Sequence, residues 1–242
     1  MPDPVAAAFA FPTPLIPGRL LKRYKRFLAD IELESGEMIT AHCPNTGPMS
    51  GVCQEGSLVQ LSYHADPKRK LAYTWEMIEV DQTWVGINTA LPNRLVQFGL
   101  EQNWFPELAG FSALRREVAY GTRSKVDILL TYPDARPDTY VEVKNTTWCQ
   151  GSLALFPDTA TPRGQKHIQE LERMAQSGSR AVMFYVINRG DCDRFGPGDE
   201  RDPLYGQLLR QAVQQGLEIL PYRFRVDPTG ITCLGLAEVQ GC

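Results

Sequence analysis

Lys125-Val126-Asp127-Ile128-Leu129-Leu130-Thr131 and Tyr140-Val141-Glu142-Val143-Lys144, joined by a loop containing Pro133 and Pro137, form the stretch that decides the fold. Side chains alternate across a strand, so Glu142 and Lys144 leave one face while Val141 and Val143 enter the other. The same parity puts Lys125, Asp127 and Leu129 on one face and Val126, Ile128 and Leu130 on the opposite one. Positions 127 and 142 are equidistant from the middle of the loop. A symmetric hairpin therefore sets Asp127 opposite Glu142, and two carboxylates converge beside a lysine.

That grouping suits phosphodiester hydrolysis. Mg²⁺ or Mn²⁺ takes hard oxygen ligands, one or two of them protein carboxylates, and fills its shell with water and phosphate oxygens. Asp127 and Glu142 are the expected metal ligands, and Lys144 is expected to offset charge on the phosphate. Two neighbouring anions favour its ammonium form, which argues against a general base. An E-x-K triplet alone is a common solvent-facing salt pair worth ~0–1 kcal/mol. Its setting sharpens it here, because it follows an Asp-bearing strand at hairpin spacing and precedes a helix beginning Arg163-Gly164-Gln165-Lys166-His167. Basic side chains near the free N–H groups of a helix start attract phosphate, so Arg163, Lys166 and His167 are expected to contact nucleic acid and Gln165 to orient a water.

Around this centre the pattern is helix, three strands, helix, strand. Asn93 is a plausible cap for a helix opening at Leu91-Pro92, and strands are expected over 113–120, 125–131 and 140–146. A helix over 163–176 leads to a strand over 180–188 that reads as buried on both faces, then a helix from Asp202-Pro203 and a strand over 217–224. Upstream, runs at 20–33, 38–42, 57–63, 71–80 and 84–88 are broken by Ser35-Gly36, the cluster 44–51, Glu55-Gly56 and Asp66-Pro67. Five short strands bury one face by closing into a small barrel of the OB type. The chain thus divides into a barrel over 1–88 and a mixed-sheet α/β domain over 89–242.

The 242 residues carry 25 Lys and Arg against 28 Asp and Glu, a net charge of −3, which excludes binding of a polyanion by bulk charge. Local charge is what counts. Arg19, Lys22, Arg23, Lys25 and Arg26 alternate with Tyr24 and Phe27, a positive ridge with aromatic platforms of the kind that holds single strands. Its bland alternative is a solvated charged strand, and Lys68-Arg69-Lys70 reads as a turn serving solubility. Six scattered cysteines with no C-x-x-C pair exclude a zinc ribbon and read as reduced thiols. The prolines of MPDPVAAAFAFPTP and the lack of a membrane-length apolar run point to a cytoplasmic protein without membrane contact. His42-Cys43-Pro44-Asn45-Thr46-Gly47 reads as a tight turn with a capping Asn rather than a nucleophile. No phosphate loop or serine-hydrolase elbow occurs.

The strings RYKRFLADIEL, HCPNTGPM, VDILL, VEVKN, LFPDT and RGQKH, in this order, resemble the sugar fermentation stimulation protein A family over residues 15–222. The resemblance implies an OB-like domain followed by a PD-(D/E)xK nuclease-like domain, in a DNA-binding protein linked to regulation of sugar (maltose) metabolism. The nuclease motif falls on Asp127, Glu142 and Lys144, with Val126 where the motif's name has Pro. The expected partner is DNA, single-stranded DNA or RNA remaining open, with Mg²⁺ or Mn²⁺ as cofactor. The alternative is a purely regulatory DNA binder on a catalytically silent nuclease fold. A sugar-metabolic enzyme or small-molecule sensor has only the family's name behind it.

Overall fold

The computed structural model describes residues 8–121 and 124–242, so the start of the N-terminal segment read above lies outside the described residues. The barrel is built from β1 (Ile16–Tyr24), β2 (Leu28–Leu33), β3 (Met38–His42), β4 (Leu58–Tyr63) and β5 (Tyr73–Val80), with β6 (Thr83–Gly86) added beside β5. Strand order is β3-β2-β1-β4-β5-β6, and a parallel bridge between His42 and Thr74 joins β3 to β5 and closes the barrel. Closure buries Leu20, Ile31, Val59, Leu61 and Trp75 completely and leaves the sheet without a free inner face.

The expected continuous run over 20–33 is two strands. Lys25 and Arg26 both take positive φ, 49° and 65°, within the three-residue hairpin turn over 25–27. Such turns usually carry Gly or Asn, so a Lys-Arg pair gives no sequence signal for one. The bulge at Leu21 also shifts the pairing between Leu20 and Lys22. After it, Arg23 faces buried Ala29 on the inner side, while Lys22 pairs with Asp30 outside.

In the second domain, α1 (Pro92–Glu101) precedes β7 (Ala113–Tyr120), β8 (Ser124–Thr131) and β9 (Thr139–Thr146). Short β10 (Cys149–Gln150) and β11 (Leu153–Phe156) lead to α2 (Pro162–Gln176), β12 (Arg180–Ile187), β13 (Arg194–Pro197) and α3 (Pro203–Gln214). The chain ends in β14 (Leu217–Asp227), β15 (Gly230–Leu236) and β16 (Glu238–Val239). The main sheet runs β15-β14-β12-β9-β8-β7, parallel at its centre and antiparallel at both edges. A side sheet, β10-β11-β13-β16, had gone unrecognised because its strands have four residues or fewer and include Gly196 and Pro197.

Two cores sandwich the main sheet. Val141, Val143, Val182 and Phe184 face α1 and Phe105; Leu129, Met183, Tyr185 and Ile187 face α2 and α3. Burial on both faces goes with an uncharged, largely apolar run in β12 after its first residue, Arg180, as its sequence suggested. The described start of the chain, around Phe9 and expected with the barrel, pairs with the second domain. Phe9 exchanges both backbone hydrogen bonds with Ile231 and sets its ring edge-on to Phe98 at 5.4 Å. Phe9 joins the core cluster there and Phe11 packs against it, which removes apolar surface from water. Among the described residues no helix is long and apolar enough to cross a membrane.

Candidate active site

The expected hairpin register holds. Leu130 pairs with Thr139, Leu129 with Tyr140 and Ile128 with Val141, which brings Asp127 to the level of Glu142. There the ladder stops, and the Asp127 Oδ2 atom accepts the Val143 N–H at 2.8 Å in place of a backbone carbonyl. With the strands parting, strict alternation fails at one residue. Val126 packs in the α2-side cluster with Leu129, not with Ile128 and Leu130 as parity required.

Glu142 and Lys144 emerge together on the α2 face. Glu142 is 2% exposed, and both of its donors fall on one oxygen: Lys144 Nζ reaches Oε1 at 2.6 Å, and His167 Nδ1 meets the same atom. Oε2 is buried with no partner among the described residues. His167 Nε2 accepts from Arg163 Nε at 3.4 Å, which leaves the ring proton on Nδ1, where it is donated to Glu142. His167 is thereby a positioning group for the carboxylate. A buried carboxylate lacking a full set of partners is costly, and here the deficit sits on a single atom.

The two carboxyl groups are tuned apart. Burial, then the charge of Glu142, raises the Asp127 pKa, only partly offset by the Val143 N–H, Lys144 and the 2.8 Å bond from Asn93 Nδ2. Burial also acts to raise Glu142, but Lys144 and His167 together outweigh it and hold Glu142 below the usual carboxylate range. Two close acids of which one resists ionisation are what a cation would relieve. Among the described residues no three His, Cys, Asp or Glu side chains make a ready metal cage. The fit rests on the donors present: two carboxylates, one with a buried oxygen left without a partner, are the hard oxygen ligands that Mg²⁺ takes while keeping its waters.

A cavity of about 410 Å³ opens over the site and is lined by Lys125, Asp127, Arg163, Lys166 and His167, among others. Of the residues expected here, Asp127, Glu142, Lys144, Arg163, Lys166 and His167 are therefore gathered in one place. Gln165 is not. Its Nε2 donates to both oxygens of Asp202, at 2.9 and 3.0 Å, while Asp202 caps α3 through the Tyr205 N–H and holds Thr161 N. Successive residues of a helix point about 100° apart, so with His167 on the site Gln165 faces α3.

Asn93, expected as a helix cap, serves the site instead. Leu91 stands at the N-cap position without a side-chain bond, and Asn93 orients Asp127. Reasoning from sequence also missed Tyr120 and Glu170. Burial and the charges of Glu142, Glu170 and Asp127 keep the Tyr120 hydroxyl firmly protonated, and it finds no hydrogen-bond partner among the described residues. Glu170 lies one helical turn beyond Lys166 and His167, with Lys166 Nζ at 3.6 Å. The run 163, 166, 167, 170 is a helix face, a signal that was present in the sequence.

The barrel cations divide. Arg23 donates to the carbonyls of Arg26, Asn45 and Gly47, and so pins the loop after His42 rather than offering itself to a ligand. In that loop Asn45 Oδ1 accepts the Gly47 N–H at 2.9 Å, the turn expected from sequence, and burial pushes the Cys43 thiol up. Arg19 donates to the Gly56 carbonyl. Lys22, Lys25 and Arg26 are exposed.

A closed five-stranded OB barrel followed by a mixed α/β domain, with two carboxylates and a lysine where two strands of the sheet part, defines the class: a two-domain protein that joins an OB barrel to a mixed-sheet α/β domain. Residues 21–87 match the family model described as "SfsA N-terminal OB domain", and residues 90–230 the one described as "Sugar fermentation stimulation protein RE domain". The chain belongs to the sugar fermentation stimulation protein family. It is 63% identical to a sugar fermentation stimulation protein homolog of Thermosynechococcus vestitus, over 93% of this chain and 95% of that one. A homolog from Synechococcus elongatus is 60% identical over 94% and 96%. A solved structure titled "The structure of Pyrococcus Furiosus SfsA in complex with Ca2+" aligns with a TM-score of 0.88 at 26% identity, covering 97% of this chain and all of that one.

Proposed function

We propose that this protein binds nucleic acid and hydrolyses its phosphodiester bonds with a divalent cation held by Asp127 and Glu142. The observation that carries the reading is the buried, unpartnered Oε2 of Glu142 beside an Asp127 that resists ionisation and that lines a cavity together with Lys125, Arg163 and Lys166. That a relative's title names Ca²⁺, another hard oxygen-seeking cation, supports it.

When bound, the cation would polarise a phosphate oxygen and activate water. The chain's own residues do the rest. Arg163, Lys166 and Lys125 draw the phosphate in, and Lys144 offsets the negative charge that grows on the phosphate oxygens as the water oxygen bonds to phosphorus and the P–O bond to the leaving oxygen breaks. His167 and Asn93 hold the two carboxylates in place. The family name links this activity to sugar metabolism.

The test is incubation of labelled single- and double-stranded DNA and RNA with Mg²⁺, Mn²⁺ or EDTA, with Asp127→Ala and Lys144→Ala alongside. Metal-dependent cleavage absent from both variants is the expected result. Binding with no cleavage in any metal would leave a regulatory DNA binder on a silent nuclease fold.

A further inference from the structure

Two cavities of about 520 and 400 Å³ adjoin on the barrel side of the molecule and share His42 and Arg69. The outer one is lined by Phe27, Leu28, His42, Arg69, Lys70 and Leu71. It lies between the β1–β2 turn, which carries Lys25 and Arg26, and the β4–β5 loop, which carries Lys68, Arg69 and Lys70. The basic triplet read from sequence as a solubility feature thus stands across a cleft from the basic hairpin turn. Phe27 is 46% exposed in this cleft, where an aromatic ring has no packing reason to be.

The inner cavity continues to the seam between the domains, where Phe11, Leu91 and Arg94 join Tyr63 and His64 on its wall. Tyr63 is 47% exposed and tilts against Tyr73 at 5.2 Å. On the floor is Glu76, 7% exposed, which accepts from Ser62 Oγ at 2.6 Å and Asn88 Nδ2 at 2.7 Å. Since the Ser62 proton is given to Glu76, the 3.2 Å contact between Ser62 Oγ and His64 Nε2 must run from the imidazole to the hydroxyl. That order rules out a serine nucleophile, whose hydroxyl would have to give its proton to the histidine. It makes Glu76 a brace for the wall. Arg94 is exposed, and its neighbour Asn93 reaches Asp127, so the first turn of α1 touches both the inner cavity and the metal-type site.

We propose that this continuous groove, from Phe27 through Arg69 to Arg94, is the track of a single-stranded polynucleotide, with bases stacked on Phe27 and Tyr63 and phosphates on the two basic loops. The inference deepens the function proposed above by naming its substrate class. Charge complementarity and exposed rings select the occupant. Basic side chains on both banks fit a phosphate backbone, and free aromatic faces need a free base face, which a duplex keeps inside its own stack. The inner cavity falls within the size range of pockets that enclose a small ligand and has both aromatic and cationic walls, so it suits one splayed nucleotide.

The experiment is fluorescence anisotropy in EDTA with labelled dT and rU oligomers, the matching duplex, and maltose as competitor. It compares the wild-type chain with Phe27→Ala, Arg69→Ala and Arg94→Ala. Phe27 and Arg94 are exposed, so folding is retained and is checked by thermal melting. Expected are a preference for single strands, a loss of roughly tenfold or more in Phe27→Ala, the scale of one lost base stack, and a salt slope lowered by about 0.7 in each arginine variant. The two oligomers separate DNA from RNA. Equal affinity for duplex, displacement by maltose, or single-strand binding untouched in all three variants would overturn the track. Because EDTA excludes the cation, the outcomes separate. Cleavage with an unaffected Phe27→Ala sinks the groove alone, and groove-dependent binding without cleavage sinks the hydrolytic reading alone.

Discussion

The α2-side site and the barrel cleft are both rich in cations, yet they use charge in opposite ways. At the site, Lys144 and His167 converge on Glu142 below the surface, and the Lys144 ammonium is held by the Glu142 carboxylate. In the cleft, Lys25, Arg26 and Lys70 are exposed to water. Buried charges are costly to desolvate and so are kept only in fixed geometry, whereas exposed charges contribute little to the fold and remain available to a partner. The contrast teaches that a substitution at the site should disturb activity and stability together, and one on the barrel rim should disturb binding alone.

The largest expected effect tests the first half of that contrast. Asp127→Asn should lower metal-dependent cleavage by at least ~10³-fold, the several kcal/mol that a bound cation supplies. In EDTA it should also raise the melting temperature at neutral pH. The sign follows from Asp127 having a folded-state pKa above its ordinary value: the stability present while it is protonated is lost as pH rises through the raised pKa. A permanently neutral amide avoids that loss, and Asn93 can turn its own amide over to complement the new one. A melting temperature that falls, or stays unchanged between acid and neutral pH, would show that the two carboxylates do not strain each other.

Lys144→Ala comes next, since it leaves Glu142 buried with the His167 ring as its remaining donor among the described residues. Denaturant titration should show a loss of about 3 kcal/mol, and cleavage should fall by roughly 10²-fold. A loss below about 1 kcal/mol would place this pair with the surface salt bridges. On the barrel, reversing Lys22, Lys25 and Arg26 together to Glu should leave stability within about 0.5 kcal/mol while lowering the salt slope of single-strand binding by about 2. Adding Arg23→Glu should destabilise the chain, because that guanidinium holds three carbonyls and not a ligand. The smallest effect is reserved for Gln165→Ala. Cleavage should stay within about twofold, and stability should drop by about 1 kcal/mol as Asp202 loses its clamp. A large fall in cleavage would return Gln165 to the site.

Much of the site was legible because it rests on strand parity. Once 125–131 and 140–144 are read as a hairpin, the periodicity of two dictates which side chains share a face, and Asp127 meets Glu142 by register alone. Closure of the barrel was legible for a similar reason, as short strands with one apolar face have few ways to bury it. What could not be read depends on contacts between elements. Gln165 and His167 sit two residues apart on one helix, and only the packing of α3 sends the first to Asp202 and the second to Glu142. Asn93 looked like a cap because helix starts favour Asn, but its orientation is set by a sheet that forms thirty residues later.

The two basic runs show where the line falls. By itself the sequence determined that the first of them alternates with aromatic residues, that the chain as a whole is slightly acidic, and that the carboxylates pair across a hairpin. All of these are properties of composition and local period. Only the tertiary structure decided that Arg23 turns inward, that Lys68-Arg69-Lys70 stands across a groove from Phe27, and that Glu142 keeps one oxygen without a partner. Each of those depends on where a closed barrel and a two-faced sheet bring distant segments into reach, and local rules carry no information about that distance.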